Sequence, residues 1–162
     1  MNDKTAQRAL TLALPHYKYM PGSNQRPNTE YLECIELQAP AITEDSSAAS
    51  NVAWLYGIRL FNEGFYWESH EVLESVWLSA PPNSRERHLL QSIIQLANAR
   101  LKHLMGRQRA QARLQQLALE SARRAFPVRA SERLMGIDFN QLCKLAEVEL
   151  SLNQSGIKLI FC

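Results

Sequence analysis

Tyr66-Trp67-Glu68-Ser69-His70-Glu71-Val72-Leu73-Glu74-Ser75-Val76-Trp77 is the stretch on which the reading of the fold turns. Wound as a helix to about Ser79, it places Tyr66, Ser69, Val72, Leu73, Val76, Trp77 and Ala80 on one apolar face, with His70 and Glu74 at its margin. Trp67 and Leu78 flank Glu71 and Glu74, which leaves Glu68 and Ser75 as the positions best suited to solvent. A helix apolar on nearly every side belongs in the middle of a domain, so His70, Glu71 and Glu74 should be partly enclosed. Charge in such a place costs several kcal/mol unless it is paired, hydrogen-bonded or bound to a metal, by order of magnitude.

Working outward, Ser46 or Ser47 can cap a helix running to about Glu63, where Gly64 stops it, and Pro81-Pro82 ends the Tyr66 helix. Asn83 with Glu86 resembles a capping box for a third helix through Met105, closed by Gly106, and residues 107–125 form a fourth that Pro127 ends. Asp138 can cap a last helix from Phe139 to about Leu150, followed by an apolar tail from Ile157 to Cys162. At the other end, residues 3–14 read as a short helix with Ala6, Leu10 and Leu14 on one face, stopped by Pro15. Pro21-Gly22-Ser23-Asn24 and Pro27-Asn28 mark turns, Tyr31–Leu37 has no decisive period, and 38–45 reads as linker.

The expected fold is all-α: a compact bundle of about five to six helices with one central helix surrounded by others. Residues 1–45 form a helix and irregular extension, 46–126 the hairpins that carry the motif, and 127–162 a final helix and tail of the same single domain. The two glycine-closed hairpins differ in spacing, and a solenoid needs at least about three repeats, so a bundle is the better description.

The chain has 162 residues, 46% of them hydrophobic and 21% charged, which fits one globular domain rather than a disordered or fibrous chain. No apolar run approaches a membrane span, and the expectation is a cytoplasmic protein with no membrane contact. Cys34, Cys143 and Cys162 contain no CxxC pair and read as reduced thiols. The net charge of +2 conceals an asymmetry: residues 1–80 carry 5 Lys/Arg against 10 Asp/Glu, and residues 81–162 carry 13 against 6. Two halves that attract each other explain this more simply than a nucleic-acid partner. The Arg-rich stretch 107–133 (Arg107, Arg109, Arg113, Arg123, Arg124, Arg129, Arg133) has Gln and Ala between its charges rather than stacking aromatics, which argues against nucleic-acid binding.

Two readings compete for the polar cluster. In the first it is architectural: Arg100, set on the apolar face of its helix, or the amides of Gln91, Gln95 and Asn98 satisfy His70, Glu71 and Glu74. In the second, His70 and Glu74 stand one turn apart as metal ligands, after the logic of HExxH, and Glu71 is the general base of a metal-dependent hydrolase. The catalytic candidates are then Glu71 and His70, a divalent metal is the candidate cofactor, and His16, His88 and His103 are third ligands by type alone. The candidate binding residues are His70, Glu71, Glu74, Trp77, Tyr66, Gln91, Gln95 and Arg100. There is no Gly-rich phosphate loop. Ser69 beside His70 is mere adjacency on a helix and makes no nucleophile pair.

The pattern Phe61-Asn62-x-Gly64-x-Tyr66-Trp67-Glu68-x-His70-Glu71-Val72-Leu73-Glu74-x-x-Trp77, with Leu90-Gln91-x-x-Ile94-Gln95-Leu96-Ala97 and Gly106, closely resembles the bacterial and archaeal family catalogued as domain of unknown function 309. The resemblance covers roughly residues 50–125, and Tyr17-x-Tyr19-x-Pro21-Gly22 is similar to that family's N-terminal element. It implies a small helical bundle with one helix surrounded by others, and it supplies no reaction. Gln25-Arg26-Pro27 departs from the Pro-His-Pro common there, which removes one histidine, and Ser92 replaces a common glycine. The leading expectation is a helical binding or scaffold protein with a partly buried His/Glu network. It would take a protein partner or a small ligand, with Leu159, Ile160 and Phe161 available for self-association into a homo-oligomer.

Overall fold

The computed structural model describes residues 3–128, 132–147 and 158–159. Seven α-helices follow one another among them: α1 Asp3–Thr11, α2 Glu30–Glu36, α3 Val52–Asn62, α4 Tyr66–Leu78, α5 Arg85–Leu104, α6 Gln108–Ala125 and α7 Phe139–Glu147. A 3₁₀ helix, Asp45–Ser50, precedes α3, and a two-stranded ribbon, β1 Arg133–Leu134 and β2 Ile137–Asp138, precedes α7. The all-α bundle expected from the sequence is what forms.

Both hairpins close in the same way. Gly64 (φ +82°) donates to Phe61 O and Phe65 N to Leu60 O, while Gly106 (φ +69°) donates to His103 O and Arg107 N to Lys102 O. These are paired Schellman closures, and they need the left-handed residue that glycine adopts without a Cβ penalty. α4 consequently folds back on α3, and α6 on α5.

Several boundaries differ from expectation for local reasons. Asn51, not a serine, caps α3: its Oδ1 accepts from Trp54 N at 3.0 Å, and the serines instead form the 3₁₀ turn. Ser84 caps α5 by accepting from Arg87 N at 3.1 Å, while Asn83 takes φ +60° and Glu86 accepts from Asp45 N at 3.3 Å. α1 stops at Thr11 and turns Ala9 inward, leaving Leu10 exposed. Tyr31–Leu37, ambiguous in sequence, is largely α2. Asp138 does cap α7, exchanging two 2.9 Å bonds with Gln141; Leu150 lies outside the described residues. In the ribbon, Met135 and Gly136 both have positive φ, which is a type I′ turn, and Met135 N donates to Asp45 Oδ1.

The most enclosed helix is α3 rather than α4: eight of its eleven residues are buried, against six of thirteen in α4. α4 packs on α3, α5 and α2 but keeps one face outward. The α3–α4 contact is closest at Gly57, whose carbonyl accepts from Ser69 Oγ at 2.9 Å. A Cβ at Gly57 would lie 2.5 Å from Leu73 Cδ2, in a fully buried place. Gly57→Ala should therefore lower stability by about 1–3 kcal/mol through overpacking, despite its better helix propensity, and a denaturant titration reads the loss.

Candidate functional site

The outward face of α4 carries the cluster. His70 and Glu74, one turn apart, place Nε2 and Oε2 3.7 Å from each other, with side chains 27% and 52% exposed. Glu71 is half-buried, and one donor atom from each of the three lies within 4.8 Å of the others. Neither Glu71 nor Glu74 pairs with a lysine or arginine among the described residues. Across the α2–α4 contact stands Glu36, whose carboxyl is pushed up first by burial and then by the negative charge of Glu71, Glu33 and Glu74. The face is thus a concentration of carboxylate charge with one imidazole and no cation of its own among the described residues.

The other candidates go elsewhere. Arg100, 8% exposed, donates from Nη2 to Leu145 O at 3.1 Å, so it serves α7 and does not neutralise the cluster. Burial lowers its pKa, with Tyr66 opposing, and burial in turn raises that of Tyr66. Tyr66 rests edge-on against Phe61, ring centroids 5.6 Å apart. Trp77 is capped by the Arg87 guanidinium 4.0 Å above its ring, and its buried indole N–H has no partner among the described residues. Gln91 and Gln95 are half-buried and make no hydrogen bond to the cluster among the described residues. The architectural satisfaction expected from Arg100 or the amides is not what forms. His16 is exposed, His103 Nδ1 faces Gln111 Oε1 at 3.2 Å, and burial first and then the charge of Arg124 lower the pKa of His88. None joins His70; the third donor is Glu71.

One residue of this helix behaves opposite to expectation. Glu68, read as solvent-facing, is 0% exposed. Its Oε1 accepts from Tyr19 N at 3.0 Å, and its Oε2 is buried without a partner among the described residues. Burial pushes its carboxyl above the usual range, against the pull of that N–H and of Lys18. The cover comes from the chain between α1 and α2. Tyr19 packs edge-on against Trp67 at 4.9 Å, Arg26 sits 5.4 Å over the same ring, and Lys18 lies 5.2 Å over Phe65. The Tyr31 hydroxyl nearby is also buried and has no partner among the described residues, its pKa raised by burial and then by Glu68. The one sequence signal for this lid was the Tyr17-x-Tyr19-x-Pro21-Gly22 element.

The outward HExxE helix, its glycine closure and the amide-bearing α5 lie within one recognised segment. Residues 54–114 match the family model Domain of unknown function (DUF309). The DUF309 segment spans most of α3, all of α4 and α5 and the first part of α6, so it contains His70, Glu71 and Glu74 but neither the Tyr19 lid nor α7. No curated protein and no solved structure matches the chain.

Arg107, just before α6, and Arg109, Arg113, Arg123 and Arg124 along it are exposed, and Arg129 lies outside the described residues. No helix among the described residues is long and apolar enough to cross a membrane. Leu159 is 2% exposed and packs in the core rather than standing free on the surface. Ile160 and Phe161 lie outside the described residues.

Proposed function

We propose that this protein is a cation-binding helical protein whose site is His70, Glu71 and Glu74 on the outer face of α4. The observation that carries the reading is the mutual approach of three donor atoms to within 4.8 Å on a face where neither carboxylate has a lysine or arginine partner among the described residues. Metal–nitrogen and metal–oxygen bonds of about 2.0–2.2 Å hold ligand pairs roughly 3–4 Å apart, so small side-chain rotations close the set. The two carboxylates balance the charge of a divalent ion and suit manganese, and the imidazole favours zinc over calcium.

Binding is favoured over hydrolysis by the place of Glu71. In the HExxH logic the intervening glutamate is left unligated to act as base. Here Glu71 is itself the third donor, and a carboxylate committed to the ion is not a free general base. The scaffold reading has less support, because the cluster faces outward and is not tied into a hydrogen-bonded network among the described residues.

The test is thermal. A ligand at about 100 times its Kd adds roughly 2.7 kcal/mol to stability. For a chain of this size that is a rise on the order of 5–10 °C in Tm. Zn²⁺ or Mn²⁺ should produce it in the wild-type protein and fail to in Glu74→Gln. Equal shifts in both proteins would place the ion elsewhere.

A further inference from the structure

The last residue of α3 grips a remote part of the chain by its backbone. Asn62 Nδ2 donates to Leu159 O at 2.9 Å, and Leu159 N donates to Asn62 Oδ1 at 2.8 Å. One side-chain amide thereby satisfies both main-chain groups of one residue, as a neighbouring strand would in an antiparallel pair. Two further features set what the grip accepts. The Leu159 side chain is 2% exposed and belongs to the hydrophobic core. Lys158 Nζ lies 3.7 Å from Glu63 Oε1, next to Asn62.

We infer that the end of α3 is a docking site for an extended peptide of the form basic-apolar, and that its resident occupant is the chain's own Lys158-Leu159. Asn62 reads the backbone, the core position reads leucine, and Glu63 reads the cation in front of it. This is strand-addition recognition with a single amide in place of a sheet edge. The position of Asn62 is fixed by its surroundings, since it ends α3 and the closure that follows, Gly64 N to Phe61 O and Phe65 N to Leu60 O, sets the turn on which it sits. Ten residues separate Glu147 from Lys158. An occupant carried on the same chain competes intramolecularly and excludes most competitors in trans. The occupant that fits in trans is the same tail of a second copy, which offers every one of these contacts. The tail thus gates the site, and exchange of tails would join two copies.

Full-length protein and a fluorescent peptide of residues 155–162 carrying Cys162→Ser provide the test by anisotropy. Leu159→Asp, which ejects the resident tail, should bind the peptide at least about tenfold more tightly than wild type, whose site is filled. Adding Asn62→Ala should abolish that gain, and a scrambled peptide should not bind. Equal binding by wild type and Leu159→Asp, or a gain that survives Asn62→Ala, would overturn the inference. Should Leu159→Asp fail to fold, carboxypeptidase trimming followed by mass decides the matter. Wild type should halt with Leu159 still attached, and Asn62→Asp, which keeps the acceptor but loses the donor, should be trimmed past it. Trimming of the wild-type chain through Leu159 without a pause would contradict a docked tail.

Discussion

Glu68→Gln should raise the stability of this protein at pH 8 and leave it unchanged at pH 4, although it removes a charge from the family-like motif. Glu68 is fully buried, and its Oε2 has no hydrogen-bond partner among the described residues. Its carboxyl is raised above the ordinary value of 4.5, chiefly by burial, so the folded state keeps the proton to higher pH than the unfolded chain does. Where the folded state binds more protons, stability falls as pH rises. The unfavourable contribution is absent below the unfolded value, grows as pH climbs, and is complete above the folded one.

Glutamine retains the oxygen that accepts from Tyr19 N and can never ionise. The expected gain at pH 8 is on the order of 1 kcal/mol, about 2–4 °C in Tm. Glu68→Ala should act in the opposite sense at both pH values. It leaves the Tyr19 N–H without its acceptor and opens a void under the lid, a loss of about 2–4 kcal/mol. Denaturant titrations of the three proteins at pH 4 and pH 8 check the pattern. A glutamine variant less stable than wild type at pH 8 would show that ionised Glu68 is not a burden to the fold.

The second large effect falls on the outer face of the same helix. His70→Ala, Glu71→Gln and Glu74→Gln should each weaken Zn²⁺ or Mn²⁺ binding by more than the roughly 10–100-fold that losing a mere outer-shell partner costs. The same variants in metal-free buffer should stay within about 0.5 kcal/mol of wild type, because these side chains are half-buried or exposed and make no hydrogen bond to the core among the described residues. That combination separates a ligand set from an architectural network, in which His70→Ala would cost stability with no metal present. Affinity should also fall on acidification, since the three donors bind only when deprotonated. Titration calorimetry of the variants alongside their denaturation curves provides both numbers.

What the sequence made legible, and what it did not, follows from the range of the forces involved. The two hairpins were readable because Gly64 and Gly106 stop helices through backbone geometry, a property of a few adjacent residues. The HExxE donors were readable because i, i+4 spacing alone places His70 and Glu74 side by side. Glu68 was misassigned because a helical wheel ranks faces by a helix's own composition, whereas its cover is Tyr19, 49 positions away, with Lys18 and Arg26 beside it. Arg100 invited a carboxylate because a buried cation needs a partner, but a backbone carbonyl on α7 meets the same need. The choice of Asn51 over Ser46 or Ser47 as cap rests on where the 3₁₀ turn ends, which single-residue preferences do not encode. The ribbon before α7 depends on Met135 in a left-handed conformation, a state its side chain gives no sign of favouring.

The central claim is that His70, Glu71 and Glu74 hold one divalent cation. The most direct measurement is elemental analysis of the full-length, untagged protein after equilibrium dialysis against Zn²⁺ and, separately, Mn²⁺, with Glu74→Gln treated in parallel. The expected result is one equivalent of metal in the wild-type protein and a small fraction of that in Glu74→Gln. Absence of bound metal from the wild-type protein, or equal loading of both proteins, would contradict it.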